Sequence, residues 1–194
     1  MRHQRILEGT VFILSLLAVP VAQAHNLAHE GASLSAGFTH PLSGWDHVLA
    51  MVAVGLWAAR QGGCVEWRLP LVFLVMMTVG AIAAEAGLVL PAVETGISTS
   101  LLVLGLLLAF AVRPPAVFGM ALVGLFALFH GVAHGVEIPQ SASALTFALG
   151  FILATTLLHL LGIHLGRLRQ GELTTWLLRI WGSGIAATSI LTWV

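Results

Sequence analysis

Two short segments hold most of the side chains able to bind a metal ion. The first is His40-Pro41-Leu42-Ser43-Gly44-Trp45-Asp46-His47. His40 and His47 stand seven positions apart, which on one continuous helix stacks them on a single face about two turns apart. Asp46 adds an anionic oxygen on a neighbouring face, and Pro41 suits a first helical turn. Three metal-competent groups within eight residues favour ligation. The alternative is an acid that complements the helix dipole beside two interfacial histidines.

The second segment is Phe129-His130-Gly131-Val132-Ala133-His134-Gly135-Val136-Glu137. His130 and His134 form an i, i+4 pair, a spacing at which two imidazoles can share one ion. Glu137 falls seven positions after His130 and shares its face if the helix continues. A helix C-terminus also favours a cation. The alternative is a pair of histidines hydrogen-bonded to neighbouring helices. Two further acids join as candidates. Glu94 opens the third apolar segment, and Glu85 lies inside the second. An ionisable residue within a membrane span is costly and functional by default. A helix-start acid at Glu94 and a protonated packing residue at Glu85 are the other readings. His159 and His164, five apart, do not share a helix face. They are read as interface anchors at the far end of the fifth segment, with an exit relay as the alternative.

This ligand set is imidazole and carboxylate without thiolate. It suits Ni, Co, Zn or Cu(II), whereas Mg or Ca calls for more oxygen ligands. Cys64 is the one cysteine, so an intrachain disulfide and a CxxC metal site are both excluded. The His130/His134/Glu137 order is not the H-E-x-x-H of zinc hydrolases. Nothing matches a Walker A phosphate loop, so no ATP site is expected in this chain. No organic cofactor is expected. The absence of lysine and of any basic run argues against nucleic acid.

The elements that position these groups are apolar helices in a lipid bilayer. The 194 residues are 58% hydrophobic and only 8% charged, with a mean hydropathy of +0.99. A soluble domain carries about 25% charged residues. Residues 1–24 read as a cleavable signal peptide, with Arg2 and Arg5 before a short apolar stretch and Ala22-Gln23-Ala24 as the cleavage site. Cleavage there makes His25 the mature N-terminus, whose amine and ring nitrogen can chelate one ion beside His29 and Glu30. The expected fold is all-α and polytopic, one domain over residues 25–194 with six transmembrane helices. They fall at Leu42–Ala59, Leu69–Leu90, Thr95–Val112, Ala116–Gly135, Ala144–Gly166 and Thr174–Trp193. Gly, Pro or charged residues mark the breaks. An exported N-terminus then puts Arg60, Arg68, Arg113, Arg167, Arg169 and Arg179 on or beside cytoplasmic loops, obeying the positive-inside rule. Both metal-competent segments, Glu94 and Glu85 fall on the outer half, and both mature termini are periplasmic in a bacterial inner membrane.

At these motifs the chain resembles the HupE/UreJ family of nickel permeases associated with hydrogenase and urease. The resemblance rests on HPLSGWDHVLAM at His40 to Met51, FHGVAHGVE at Phe129 to Glu137 and LPAVETGISTS at Leu90 to Ser100. It implies inward transport of Ni²⁺, with Co²⁺ as the alternative cargo, for metalloenzyme maturation. It implies functional roles for His40, Asp46, Glu94, His134 and Glu137, and a packing or gating role for the aromatic Phe73. Rival readings are a non-transporting intramembrane metal-binding protein and an intramembrane metalloenzyme.

Overall fold

The structure, a computed structural model, describes residues 33–138, 144–167 and 172–191. The expected signal peptide, His25 and His29 lie outside the described residues. The described chain is helical: α1 Leu34–Ser43, α2 Trp45–Gln61, α3 Val65–Glu85, α4 Val93–Ala109, α5 Ala116–Gly135, α6 Ala144–Arg167 and α7 Glu172–Leu191.

The expected count of six spans is corrected. Among the described residues, α3, α5 and α6 are long and apolar enough to cross a membrane, and a fourth span counts only if the bent pair α1 and α2 is taken together. The expected first span, Leu42–Ala59, is in fact broken: α1 and α2 meet at an 87° bend. Gly44 takes an extended conformation between them, with φ −104° and ψ 121°. α4 is apolar but has 17 residues, about 26 Å of helix against a hydrocarbon core of about 30 Å. Left-handed residues bound it, Ala92 at φ 53° and Ala111 at φ 52°. α7 has 20 residues, but Glu172, Arg179 and several Ser and Thr dilute its apolar character.

α2 is the central helix. Nine consecutive residues, Ala50 to Ala58, are buried on it, because α1, α3, α4, α6 and α7 all pack around it. The closest helix pairs meet backbone to backbone at small residues. Gly37 of α1 abuts the backbone of Phe147 on α6, and Gly150 abuts Leu34 in return. A Cβ on Gly55 of α2 would lie 2.9 Å from the Cα of Gly162 on α6. Gly80 and Gly131 bring α3 and α5 together, with the same test giving 3.1 Å. Gly105 and Gly182 do the same for α4 and α7, at 2.7 Å to the Gly182 oxygen. Lipid tails are as apolar as leucine, so such bundles hold together through close packing rather than through a hydrophobic drive.

The two ends of the bundle differ in chemistry. At one end Glu66, buried in the first turn of α3, accepts two hydrogen bonds of 2.7 Å from Arg167 at the end of α6. Arg60, at the end of α2, and Arg68 share that end. Arg113 follows Val112, whose carbonyl accepts a 3.0 Å bond from the Trp57 indole at the same end of α2. The histidine-rich segments lie at the opposite end, where α1 meets α2 and α5 terminates.

Gly162→Val is expected to destabilise the protein by about 1–3 kcal/mol, the range for overpacking. Thermal unfolding in detergent measures it. Gly184→Ala, where nothing lies within 4 Å of the added Cβ, is expected to leave the midpoint unchanged or raise it, since alanine favours helix over glycine.

Candidate metal centre

The site is assembled where three chain breaks meet. α1 ends at Ser43, α2 begins at Trp45, and α5 ends at Gly135. His40 stands in the last turn of α1, so the expectation that His40 and His47 share one helix face is corrected. The bend at Gly44 puts them on two helices, and both rings turn to His134. The His40 ring lies 5.2 Å from it and the His47 ring 4.4 Å, centre to centre. Nor does α5 continue to Glu137. The chain turns after Gly135, with the Glu137 amide donating to the His134 carbonyl at 3.1 Å. That turn folds the carboxylate back over the helix end.

Three atoms converge as a result. His134 Nδ1 lies 2.8 Å and His40 Nε2 3.0 Å from the same oxygen, Glu137 Oε2. The two ring nitrogens are 3.3 Å apart. One ligand atom from each of the three residues falls within 4.8 Å of the others. Hydrogen bonds from His134 and then His40 hold the Glu137 carboxyl well below the usual carboxylate range. It is therefore anionic at neutral pH and gives the opening a negative charge. The side chains grade inward, from Glu137 at 52% exposed through His40 at 31% to His134 at 10%. Phe147 and Phe151 of α6 back the set, their rings 5.5 Å and 5.8 Å from His40, and Phe151 sits 4.7 Å from His134. Apolar walls around a few convergent polar atoms strengthen their electrostatics.

The remaining candidates take other places. The Asp46 carboxylate accepts from the His47 backbone at 3.0 Å and from its ring Nδ1 at 2.9 Å. This is the carboxylate–histidine arrangement that fixes tautomer and orientation in metal sites. It leaves His47 Nε2 buried and without a partner. His130 does not close on one ion position with His134. Its Nδ1 donates to the Phe126 carbonyl at 2.9 Å, and it lies deeper, its ring 5.5 Å from His47. Phe73 is buried between His130 and His159, at 5.6 Å and 5.0 Å. Glu85 and Glu94 are exposed, at the last residue of α3 and the first turn of α4, and stand outside the converging set. Glu94 does share its end of the bundle, because Gly96 abuts the ring of Phe129. His159 corrects the expectation of an interface anchor, since it is 1% exposed. His164 is exposed.

Sequence reasoning missed Phe147, Phe151 and Thr155. Their i, i+4 spacing with His159 along α6 is the signal that links them to one face.

The family model described as "HupE / UreJ protein" matches residues 13–192. "Protein HupE" of Rhizobium leguminosarum bv. viciae is 44% identical over 174 residues, which cover 89% of this chain and 91% of that protein. No solved structure matches.

Losing even an outer-shell partner of a metal ligand costs about 10–100-fold in affinity. Glu137→Gln is therefore expected to weaken Ni²⁺ binding by at least about tenfold, measured by equilibrium dialysis of the purified chain. Binding to the wild type is expected to weaken on acidification, because protons compete with the metal for imidazole nitrogen.

Proposed function

The chain belongs to the HupE/UreJ family, and from that premise we propose that it is an inner-membrane permease that carries Ni²⁺ inward from the periplasm for hydrogenase or urease maturation. One observation carries this reading: His40, His134 and Glu137 converge at one end of an apolar helical bundle. Two imidazole nitrogens and a carboxylate oxygen match the preferences of nickel and its first-row neighbours. Cobalt is the alternative cargo of the same ligand set. Cys64, the only thiol, is exposed in the turn before α3, at the other end of the bundle.

The chemistry of capture follows from the residues. Glu137 attracts the hydrated cation at the exposed rim. His40 and His134 then replace part of its water shell, each presenting a lone pair in place of the N–H now directed at Glu137. His134 can keep its proton on Nε2, which is buried without a partner. Asp46 holds His47 with its Nε2 free, next in line after His134. Ligands that hold an ion on a path must also bind loosely enough to release it. The concentration of Arg60, Arg68, Arg113 and Arg167 at the opposite end supports a periplasmic opening, because cytoplasmic ends carry the arginine excess.

Nickel uptake by metal-starved cells is the direct test, with Co²⁺ and Zn²⁺ as competitors. His40→Ala, Asp46→Ala and Glu137→Ala are each expected to cut uptake by at least about tenfold at normal expression. Uptake that is unchanged in all three would refute the path. Orientation has its own test. A membrane-impermeant maleimide is expected to label Cys64 in inverted vesicles and not in intact spheroplasts.

A further inference from the structure

Among the described residues, the buried side-chain polar atoms without a hydrogen-bond partner are His47 Nε2, His130 Nε2, His134 Nε2, Thr155 Oγ1, both ring nitrogens of His159, and Gln61 Nε2. Burying such groups unpaired in an apolar interior is costly. All the histidines among them belong to one connected run of rings. From the rim, the rings pass from His40 to His134 at 5.2 Å, to His47 at 4.4 Å and to His130 at 5.5 Å. Phe73 comes next at 5.6 Å, and His159 follows at 5.0 Å on its other side.

His159 is the anomaly in this run. A histidine kept for packing closes a hydrogen bond with at least one nitrogen, as His130 does with Phe126. His159 closes neither, although it is fully buried in mid-helix. Thr155 stands one turn before it on the same face of α6, with its hydroxyl equally unpaired and 0% exposed. That face continues through Phe151 and Phe147 to the rim, where both rings contact His40. One helix face thus runs from the rim ligands to Thr155 and His159, and the Phe73 ring stands between His130 and His159.

We propose that His159 and Thr155 form an inner station for the partly hydrated divalent cation, reached from the rim past Phe73. The proposal rests on the transport reading given above and names a second position on the same path. His159 supplies an imidazole nitrogen and Thr155 a hydroxyl oxygen, a sparse set that leaves most of the hydration shell in place and favours release. Phe73 then divides the path into a rim compartment with a carboxylate and an inner one without.

The test uses the purified full-length chain, Ni²⁺ as the probe, and two readouts: ions bound per chain by equilibrium dialysis, and flux into liposomes. His159→Phe keeps a ring against Phe73 and removes both nitrogens. The wild type is expected to bind two ions. His159→Phe should bind one and lose at least about tenfold in flux, and Thr155→Val should lose flux several-fold. A purely structural imidazole is replaced by a phenyl ring without loss, so wild-type ion count and flux in His159→Phe would overturn the station. If His159→Phe fails to accumulate, the combined variant His40→Ala, His134→Ala and Glu137→Ala, which removes the whole rim set, decides. One ion remaining after loss of the rim set supports the inner position, and none remaining refutes it. A wild type that moves no Ni²⁺ would sink the transport reading, while the ion counts would still settle the inner site on their own.

Discussion

The right-angle break of the backbone at Gly44 governs everything else at the histidine-rich end. α1 lies along α6, while α2 turns away to become the buried centre of the bundle. Only that turn lets a histidine near the end of one helix and a histidine near the start of the next address the same imidazole, His134. A side chain at this position would displace the His47 ring and the Asp46 carboxylate. A Cβ on Gly44 would lie 2.7 Å from His47 Nδ1 and 2.8 Å from Asp46 Oδ1. The glycine, the carboxylate that orients His47 and the bend are therefore one device. A straight helix through this segment would set His40 and His47 about 10 Å apart along one face.

The apolar bundle makes that device consequential. Backbone-close glycine contacts bring α1 and α2 against α6, and α3 against α5, so the polar atoms between them are confined to a narrow line. In such surroundings charge interactions are strong and unpaired groups are expensive. Buried Glu66 meets that cost by pairing with Arg167, while the half-exposed Glu137 accepts from two histidines at the rim. Between these two paired carboxylates the interior holds imidazoles, a hydroxyl and a phenyl ring. On the proposed path a cation would leave the half-exposed Glu137 for imidazoles that are more deeply buried, with no arginine among the described residues between them.

Much of this was legible in the sequence, in a particular way. The helical class, the bilayer and both histidine motifs follow from apolar runs and from residue types. The segments 116–135 and 144–166 fall on helices almost residue for residue. The family resemblance at the same motifs agrees with the membership that the comparisons establish. What sequence periodicity could not supply was the interruption of a pattern. His-x₆-His reads as one helix face because nothing in the spacing reports that Gly44 leaves the helical region. Glu137 was placed by a continuing helix, and it arrives by a turn instead. Asp46 reads as a ligand from its place between two histidines, and what the spacing does not report is that its Oδ1 accepts from the His47 backbone and ring. His159 reads as an anchor because it falls toward the inner end of the expected fifth span, whereas packing around α2 buries it. Glu94 opens its helix as read, whereas Glu85, read as lying within a span, is the exposed last residue of α3.

The central claim is that two imidazole nitrogens and one carboxylate oxygen, brought together by the bend at Gly44 and the turn after Gly135, take a divalent transition metal from solution. X-ray absorption at the nickel edge of the loaded, detergent-solubilised chain tests it most directly. The account predicts a nitrogen and oxygen shell with the outer-shell scattering of histidine rings, weakened when His40 is replaced by alanine. A shell of oxygen alone, or one containing sulfur from Cys64, would contradict it.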